Sequence, residues 1–303
     1  MFMTHHQLFS SYNLGSTTLQ NRIVMSPMTR SRAVGHLANE WIATYYSQRA
    51  SAGLIVTEAI AVSPNALGYS RMPALFTEAQ TASWKQVTSA VHRNGGKIVA
   101  QLIHVGRIGH TNNLPVGAQL VAPSSIKSDG QIWTDNAGMV DFSTPKEMTL
   151  EDIKAAIQSY VTAAKNAIEA GFDGIELHGA NGYLLEQFLS PFTNERFDEY
   201  GGNIARRSRF VLEVAASVGA AIGFNKVGIR LSPHSVVNDM QDYLETEEAY
   251  LYLAEQFDQL GLAYLHIVDN TAQGLPATFL RSIGKKFSQT LILAGNLSKQ
   301  KAE

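Results

Sequence analysis

Short, almost wholly apolar runs alternate along this chain with stretches whose apolar residues recur every three or four positions. The runs predict strands buried on both faces, and the stretches predict helices with one buried face. The first run, Arg22-Ile23-Val24-Met25-Ser26-Pro27, reads as a buried strand ended by Pro27. The others are Leu54 to Glu58, Ile98 to Ile103, Gly174 to Leu177, Val227 to Leu231, Tyr264 to Val268 and Leu291 to Ala294. Between them lie the helices. Trp41, Ile42, Tyr45, Tyr46 and Arg49 stand at helical spacing, with Gly53 past the end. Thr77 with Gln80 forms a capping-box pattern before Trp84, Val87 and Val91, and Asn94-Gly95-Gly96 ends that helix. Thr149 and Asp152 open another, with Ile153, Ile157, Tyr160, Val161, Ala164 and Ile168 inward and Gly171 closing it. A further helix covers about 203–222, with Phe210, Val211, Val214 and Val218 inward. Thr246 caps a helix that turns Tyr250, Leu253, Ala254 and Phe257 inward and stops at Gly261. Leu8 to Gln20 predicts a hairpin, a lid over one barrel end. The polar stretch after His104 is too long for an ordinary connection and predicts an excursion, 104–147, over the active-site face.

Alternation of this kind predicts an α/β fold with a parallel sheet covered on both sides. Gly-x-Gly-x-x-Gly opening a helix is absent, so a Rossmann site is unsupported. Nothing resembling a linker divides residues 1–303, and a single TIM (β/α)8-type barrel is the natural match. The pattern contains about seven strand–helix units, so the eighth is expected to be missing or incomplete.

Composition narrows the functions without choosing one. The net charge is −2 and no basic block occurs, which argues against nucleic acid. Cysteine is absent, which excludes thiolate metal sites and a Cys nucleophile and is compatible with a reducing cytoplasm. The nine His show no zinc spacing, and no apolar run is long enough to span a bilayer.

In such a barrel the reactive groups sit at the carboxyl ends of the strands. Those ends carry Pro27 to Thr29, Glu58-Ala59, Gln101, His178 with Asn181, Arg230 and Gly295-Asn296. The fourth run stops at Gly179 and delivers His178, Asn181 and Tyr183 within six residues: two donors for an oxygen and one group that can give up a proton. The plainer alternative is that His178 and Asn181 tie down a turn. Arg230 reads either as a cation facing an anionic ligand or as a buried ion pair with Glu176 or Glu58. Gly295-Asn296 is either a phosphate-binding turn or an ordinary one. With no Lys at a strand end, Schiff-base chemistry is disfavoured.

The motifs Asn21-Arg22-Ile23-Val24-Met25-Ser26-Pro27-Met28-Thr29-Arg30, Gly53 to Glu58, Gln101 to Arg107 and above all Gly171 to Phe210 resemble the Old Yellow Enzyme family. These are flavin-dependent ene-reductases, and the likeness leans to the N-ethylmaleimide reductase and 12-oxophytodienoate reductase branch. It spans essentially the whole chain. The resemblance implies FMN at the carboxyl face of the barrel. Pro27, Met28 and Thr29 would line the isoalloxazine ring, Ala59 would let its edge approach, and Gln101 would bond its pyrimidine side. Arg230 would stand by N1, and Gly295 and Asn296 would meet the phosphate. Tyr69 and Ile103 would line the substrate cavity, where many relatives carry Trp in place of Ile103. The implied reaction takes hydride from NADPH or NADH and delivers it to α,β-unsaturated carbonyl or nitro compounds. In it His178 and Asn181 hold the oxygen and Tyr183 donates a proton. Phenolic ligands are expected at the same place.

The family continues into an eighth strand with a further phosphate-binding Gly-Arg pair, which this chain is expected to lack. Open barrel edges would then favour self-association. They also motivate an alternative: a truncated, flavin-poor barrel that binds phenols or a partner chain with little activity.

Overall fold

The structure, a computed structural model, describes residues 7–298. Seven of the apolar runs become strands of one sheet: β1 (Val24–Met25), β2 (Leu54–Ala61), β3 (Ile98–Ile103), β4 (Gly174–Gly179), β5 (Val227–Leu231), β6 (Tyr264–Val268) and β7 (Thr290–Ala294). Their order in space is their order in sequence, and each adjacent pair is parallel. Parallel neighbours need long crossovers. Helices supply them: α1 (Glu40–Ser47), α2 (Glu78–Arg93), α3 (Leu150–Glu169), α4 (Leu184–Leu189), α5 (Ile204–Ile222), α6 (Thr246–Leu260) and α7 (Ala277–Lys286).

The sheet is rolled. Leu54 and Val56 of β2 and Val99 of β3 share one buried cluster with Tyr264 of β6 and Ile292 of β7. Strands that far apart in a flat sheet would stand roughly 15–25 Å from each other, at about 4.8 Å per strand. The N-terminal hairpin, Tyr12–Leu14 with Thr17–Leu19, adds Leu14 and Leu19 to the same cluster. It therefore plugs the end where the strands begin, opposite the carboxyl ends. β1 and β7 are the two edges and do not pair with one another among the described residues. A cavity of about 470 Å³ lies between them, lined by Leu8, Leu19, Val24, Ile292 and Leu297 among others. The barrel is thus nearly closed, with seven strands described.

Several expectations need correction. β1 is only two residues long and half-buried, because it is an edge strand facing that cavity. Trp41 is 74% exposed; α1 instead buries Ile42, Ala43 and Tyr46 and stops before Arg49. Glu245, not Thr246, is the cap of α6; the Thr246 hydroxyl donates backwards to Tyr243 O and Asp242. α4 and α7 were absent from the periodicity. The capping boxes of α2 (Thr77, Gln80) and α3 (Thr149, Asp152) form as read.

Between β3 and α3 the chain makes a small parallel bridge, Val121–Ala122 with Lys146–Glu147, and a hairpin, Gln131–Thr134 with Gly138–Asp141. Ile108, Ile132 and Phe142 from this segment form a cluster against Tyr69 and Tyr183. The buried Arg196 guanidinium holds the segment by donating to Pro123 O and Met148 O.

Candidate active site

β4 lies in the middle of the sheet, so its carboxyl end opens where the barrel is best covered. Register sets the first layer of the site. His178 of β4 stands beside Arg230 of β5, and Arg230 stands beside His266 of β6. Side chains alternate in a strand. Glu176, two residues earlier, therefore points to the same side as His178, and it stands abreast of Gln101 on β3. The result is a buried polar layer inside an apolar sheet.

Glu176 is the anionic centre of that layer. Its carboxylate accepts from Gln101 Nε2 at 2.8 Å and meets His266 Nδ1 at 2.8 Å. Burial pushes its pKa up, but His266 beside it, with Arg230 and Gln101, brings it below the usual carboxylate value. Gln101 thus commits one N–H to Glu176, which leaves its other N–H and its oxygen for any ligand. A bulge in β2 between Val56 and Ala59 aligns Ala59 with Gln101 and lets Thr57 Oγ1 accept from the Gln101 backbone N–H. Arg230 forms no salt bridge among the described residues, so the ion pair with Glu176 or Glu58 is not made; Glu176 acts on it at longer range. Glu58 instead accepts from Arg30 N and Tyr46 Oη.

Past β4 the chain turns sharply into α4. Asn181 and Gly182 both take positive φ, 58° and 75°. Asn tolerates that region, and Gly182 is required there, because a Cβ would come 2.9 Å from Val237 O and 2.8 Å from Met240. Asn181 is then held by three partners. Its N–H donates to Ser232 Oγ, its C=O accepts from Asn238, and its side-chain oxygen accepts from Asn270, each at 2.7 Å. With that oxygen taken, the remaining polar group of the Asn181 side chain is a donor. Tyr183 packs edge-on against His178, with ring centroids 4.8 Å apart, and its hydroxyl lies 3.0 Å from that of Tyr69.

Burial, with the positive charge of Arg230 and His266 nearby, holds His178 well below the usual imidazole pKa, so it is neutral at pH 7. Burial raises the Tyr183 phenol, with Tyr69 and Asn238 pulling partly back, so it is protonated. Neutral imidazole, amide donor and intact phenol are the states that stabilise a developing oxyanion and deliver a proton.

The remaining predicted residues lie at or beyond other strand ends. Pro27 is half-buried, while Met28 and Thr29, just beyond β1, are exposed. Ile103, the last residue of β3, is buried in the main core on the same side of the strand as Gln101. Gly295 and Asn296 follow β7 with positive φ, and Asn296 donates to Thr271 O in the loop after β6. Ser232, Asn238 and Asn270 were missed by the sequence reading; Ser, Asn and Asn in loops carry no local signal of this role.

Three buried polar atoms of the layer, His178 Nδ1, Arg230 Nε and His266 Nε2, have no protein partner among the described residues. Buried polar groups are rarely left so. An unpaired cationic donor beside a neutral imidazole, an exposed rim above and a positive-φ turn after β7 suit FMN, whose pyrimidine end and phosphate both seek donors. The model of the NADH:flavin oxidoreductase / NADH oxidase family matches residues 7–302.

The chain belongs to this family.

It is 40% identical over 302 residues to 12-oxophytodienoate reductase 1 of Oryza sativa subsp. japonica, covering 97% of this chain and 77% of that protein. Chanoclavine-I aldehyde reductase fgaOx3 of Penicillium roqueforti (strain FM164) is 40% identical over 309 residues, 98% of this chain and 80% of the other. Morphinone reductase superposes with a TM-score of 0.92 at 41% identity, over 96% of this chain and 80% of its own. The chain is therefore a flavin oxidoreductase on an α/β barrel, using FMN and a reduced nicotinamide. No helix among the described residues is long and apolar enough to cross a membrane.

Proposed function

We propose that this flavin oxidoreductase is an ene-reductase acting on α,β-unsaturated carbonyl or nitro compounds at the carboxyl end of β4. When bound, FMN would supply the hydride chemistry that links NADPH or NADH to the β-carbon of the alkene. His178 and the Asn181 amide hold the substrate oxygen and stabilise the charge that builds on it. Tyr183 holds the proton for the α-carbon, and Tyr69 and Ile103 bound the substrate. Pro27, Met28, Thr29, Ala59 and Gln101 would line the flavin, Arg230 would hold its pyrimidine end, and Gly295 with Asn296 would serve the phosphate. Phenols, which present one oxygen on an apolar ring, bind at the same pair of donors.

The observation that carries this reading is the cluster of neutral His178, triply tethered Asn181 and protonated Tyr183 against a buried, unpaired Arg230. The test is spectroscopic and kinetic. The purified protein, given FMN, is expected to show a flavin absorbance that NADPH or NADH bleaches and a cyclic enone restores. His178→Ala should weaken phenol binding and slow the enone step by roughly a hundredfold. Unchanged phenol affinity and unchanged enone turnover in that variant would remove His178 from the site.

A further inference from the structure

We propose that Glu186 is the positioning residue of the site: its carboxylate fixes the turn that presents Asn181 and Tyr183. The inference rests on the ene-reductase reading above, which gives those two residues their work.

Glu186 stands on the first turn of α4, three residues after Tyr183 at its cap, and is buried. Its two oxygens receive three hydrogen bonds. Gly182 N–H donates at 2.6 Å, Ser232 Oγ at 2.7 Å and Tyr250 Oη at 2.6 Å. Ser232 in turn accepts the N–H of Asn181 at 2.7 Å. The two successive amides of the positive-φ turn therefore end on one carboxylate, one directly and the other through a hydroxyl. Those amides set the direction in which the Asn181 side chain leaves the turn and the angle at which Tyr183 enters α4. The same carboxylate locks the turn to the end of β5, through Ser232, and to α6, through Tyr250.

Filling space alone does not account for a charge at this place. Glu186 forms no salt bridge among the described residues, and its three partners are neutral. Burying a carboxylate without a counter-ion is costly, and a neutral side chain of the same shape would fill the space at lower cost. What a neutral amide cannot do is accept from three donors at once, because one of its two groups is itself a donor. The carboxylate is thus matched to the number of donors the turn presents. Burial pushes it up to about 7, so the all-acceptor form prevails above that pH.

The experiment compares the FMN-loaded wild type with Glu186→Gln, Ser232→Ala and Asn181→Ala. Glu186→Gln is expected to melt at or above the wild-type temperature at pH 8. It should nonetheless bind a simple phenol about tenfold more weakly and reduce a cyclic enone roughly ten- to a hundredfold more slowly. The solvent deuterium isotope effect on turnover should rise as proton delivery from a misplaced Tyr183 becomes limiting. Ser232→Ala should reproduce the loss of phenol affinity, since it cuts the branch to Asn181. Phenol affinity and enone turnover within twofold of wild type in folded Glu186→Gln and Ser232→Ala would overturn the proposal. So would a loss of activity that only follows the folded fraction. If Asn181→Ala also left phenol binding and turnover intact, the ene-reductase reading itself would fall, which separates the two failures.

Discussion

Asn181 is held by partners 51, 57 and 89 residues away in sequence, and none of the three announces itself locally. His178, Asn181 and Tyr183 were legible because all three stand within one turn. Their states were not, because neutrality of His178 depends on burial and on Arg230 and His266 from neighbouring strands. Arg230 was read as either paired or facing a ligand, and the absence of a salt bridge favours the second. The sharpest residue-level prediction concerns the proton. Tyr183→Phe keeps the ring against His178 and removes only the hydroxyl that meets Tyr69. It should slow enone reduction by about a hundredfold while leaving the rate of flavin reduction by NADPH nearly unchanged. Stopped-flow measurement of the two half-reactions checks this; equal slowing of both would point to a general disturbance of the site rather than a lost proton donor.

Among elements, β3, β5 and β6 run as read, because a strand covered on both faces shows as a nearly continuous apolar run, broken here only by Gln101, Arg230 and His266. Helices with one wet face were equally plain. α4 was invisible for the opposite reason: all six of its residues are buried, so it has no amphipathic period. α7 was missed because it spans only ten residues, although Phe279 and Ile283 stand at helical spacing on its buried face. Trp41 misled because a large aromatic at helical spacing looks like core, yet it is solvent-facing on α1. The capping boxes of α2 and α3 carry their chemistry within four residues and form as read, whereas the cap expected at Thr246 is Glu245. In α2 the Thr77 hydroxyl accepts from Gln80 N, and the Gln80 side chain accepts from Thr77 N. Thr77→Ala should cost about 1 kcal/mol of stability, seen as a lower midpoint in urea, with enone turnover of the folded enzyme unchanged.

For the whole molecule, buried ionisable groups give stability a pH dependence with a definite sign. Glu58 is buried and raised to about 7 by burial, against bonds from Arg30 N and Tyr46 and the charges of Arg30 and Arg32, which pull it down. Its unfolded value is the ordinary 4.5. The native state therefore holds a proton that the unfolded chain has released between those values. That stabilisation is complete below about 4.5 and is lost as pH rises through about 7. Replacing it with a permanently neutral group removes the penalty. Glu58→Gln should gain on the wild type between pH 5 and 8, by up to roughly 3 kcal/mol. Paired urea titrations across that range check it, and a difference that stays flat with pH would show that Glu58 titrates normally. A single-site difference is the right measurement, because His104 and His178, both lowered by burial, act in the opposite sense as pH falls below the ordinary imidazole value.

By itself the sequence determined the barrel, the strand ends on which chemistry sits and the short His-Asn-Tyr stretch, because each is written in residues that are neighbours along the chain. Tertiary structure alone decided which polar groups meet. The Glu176 layer and the Glu186 hub join residues brought together only when a rolled parallel sheet sets distant strands side by side. Hydrogen bonds act over about 3 Å, and no pattern along one strand says which residue of another will lie within that reach.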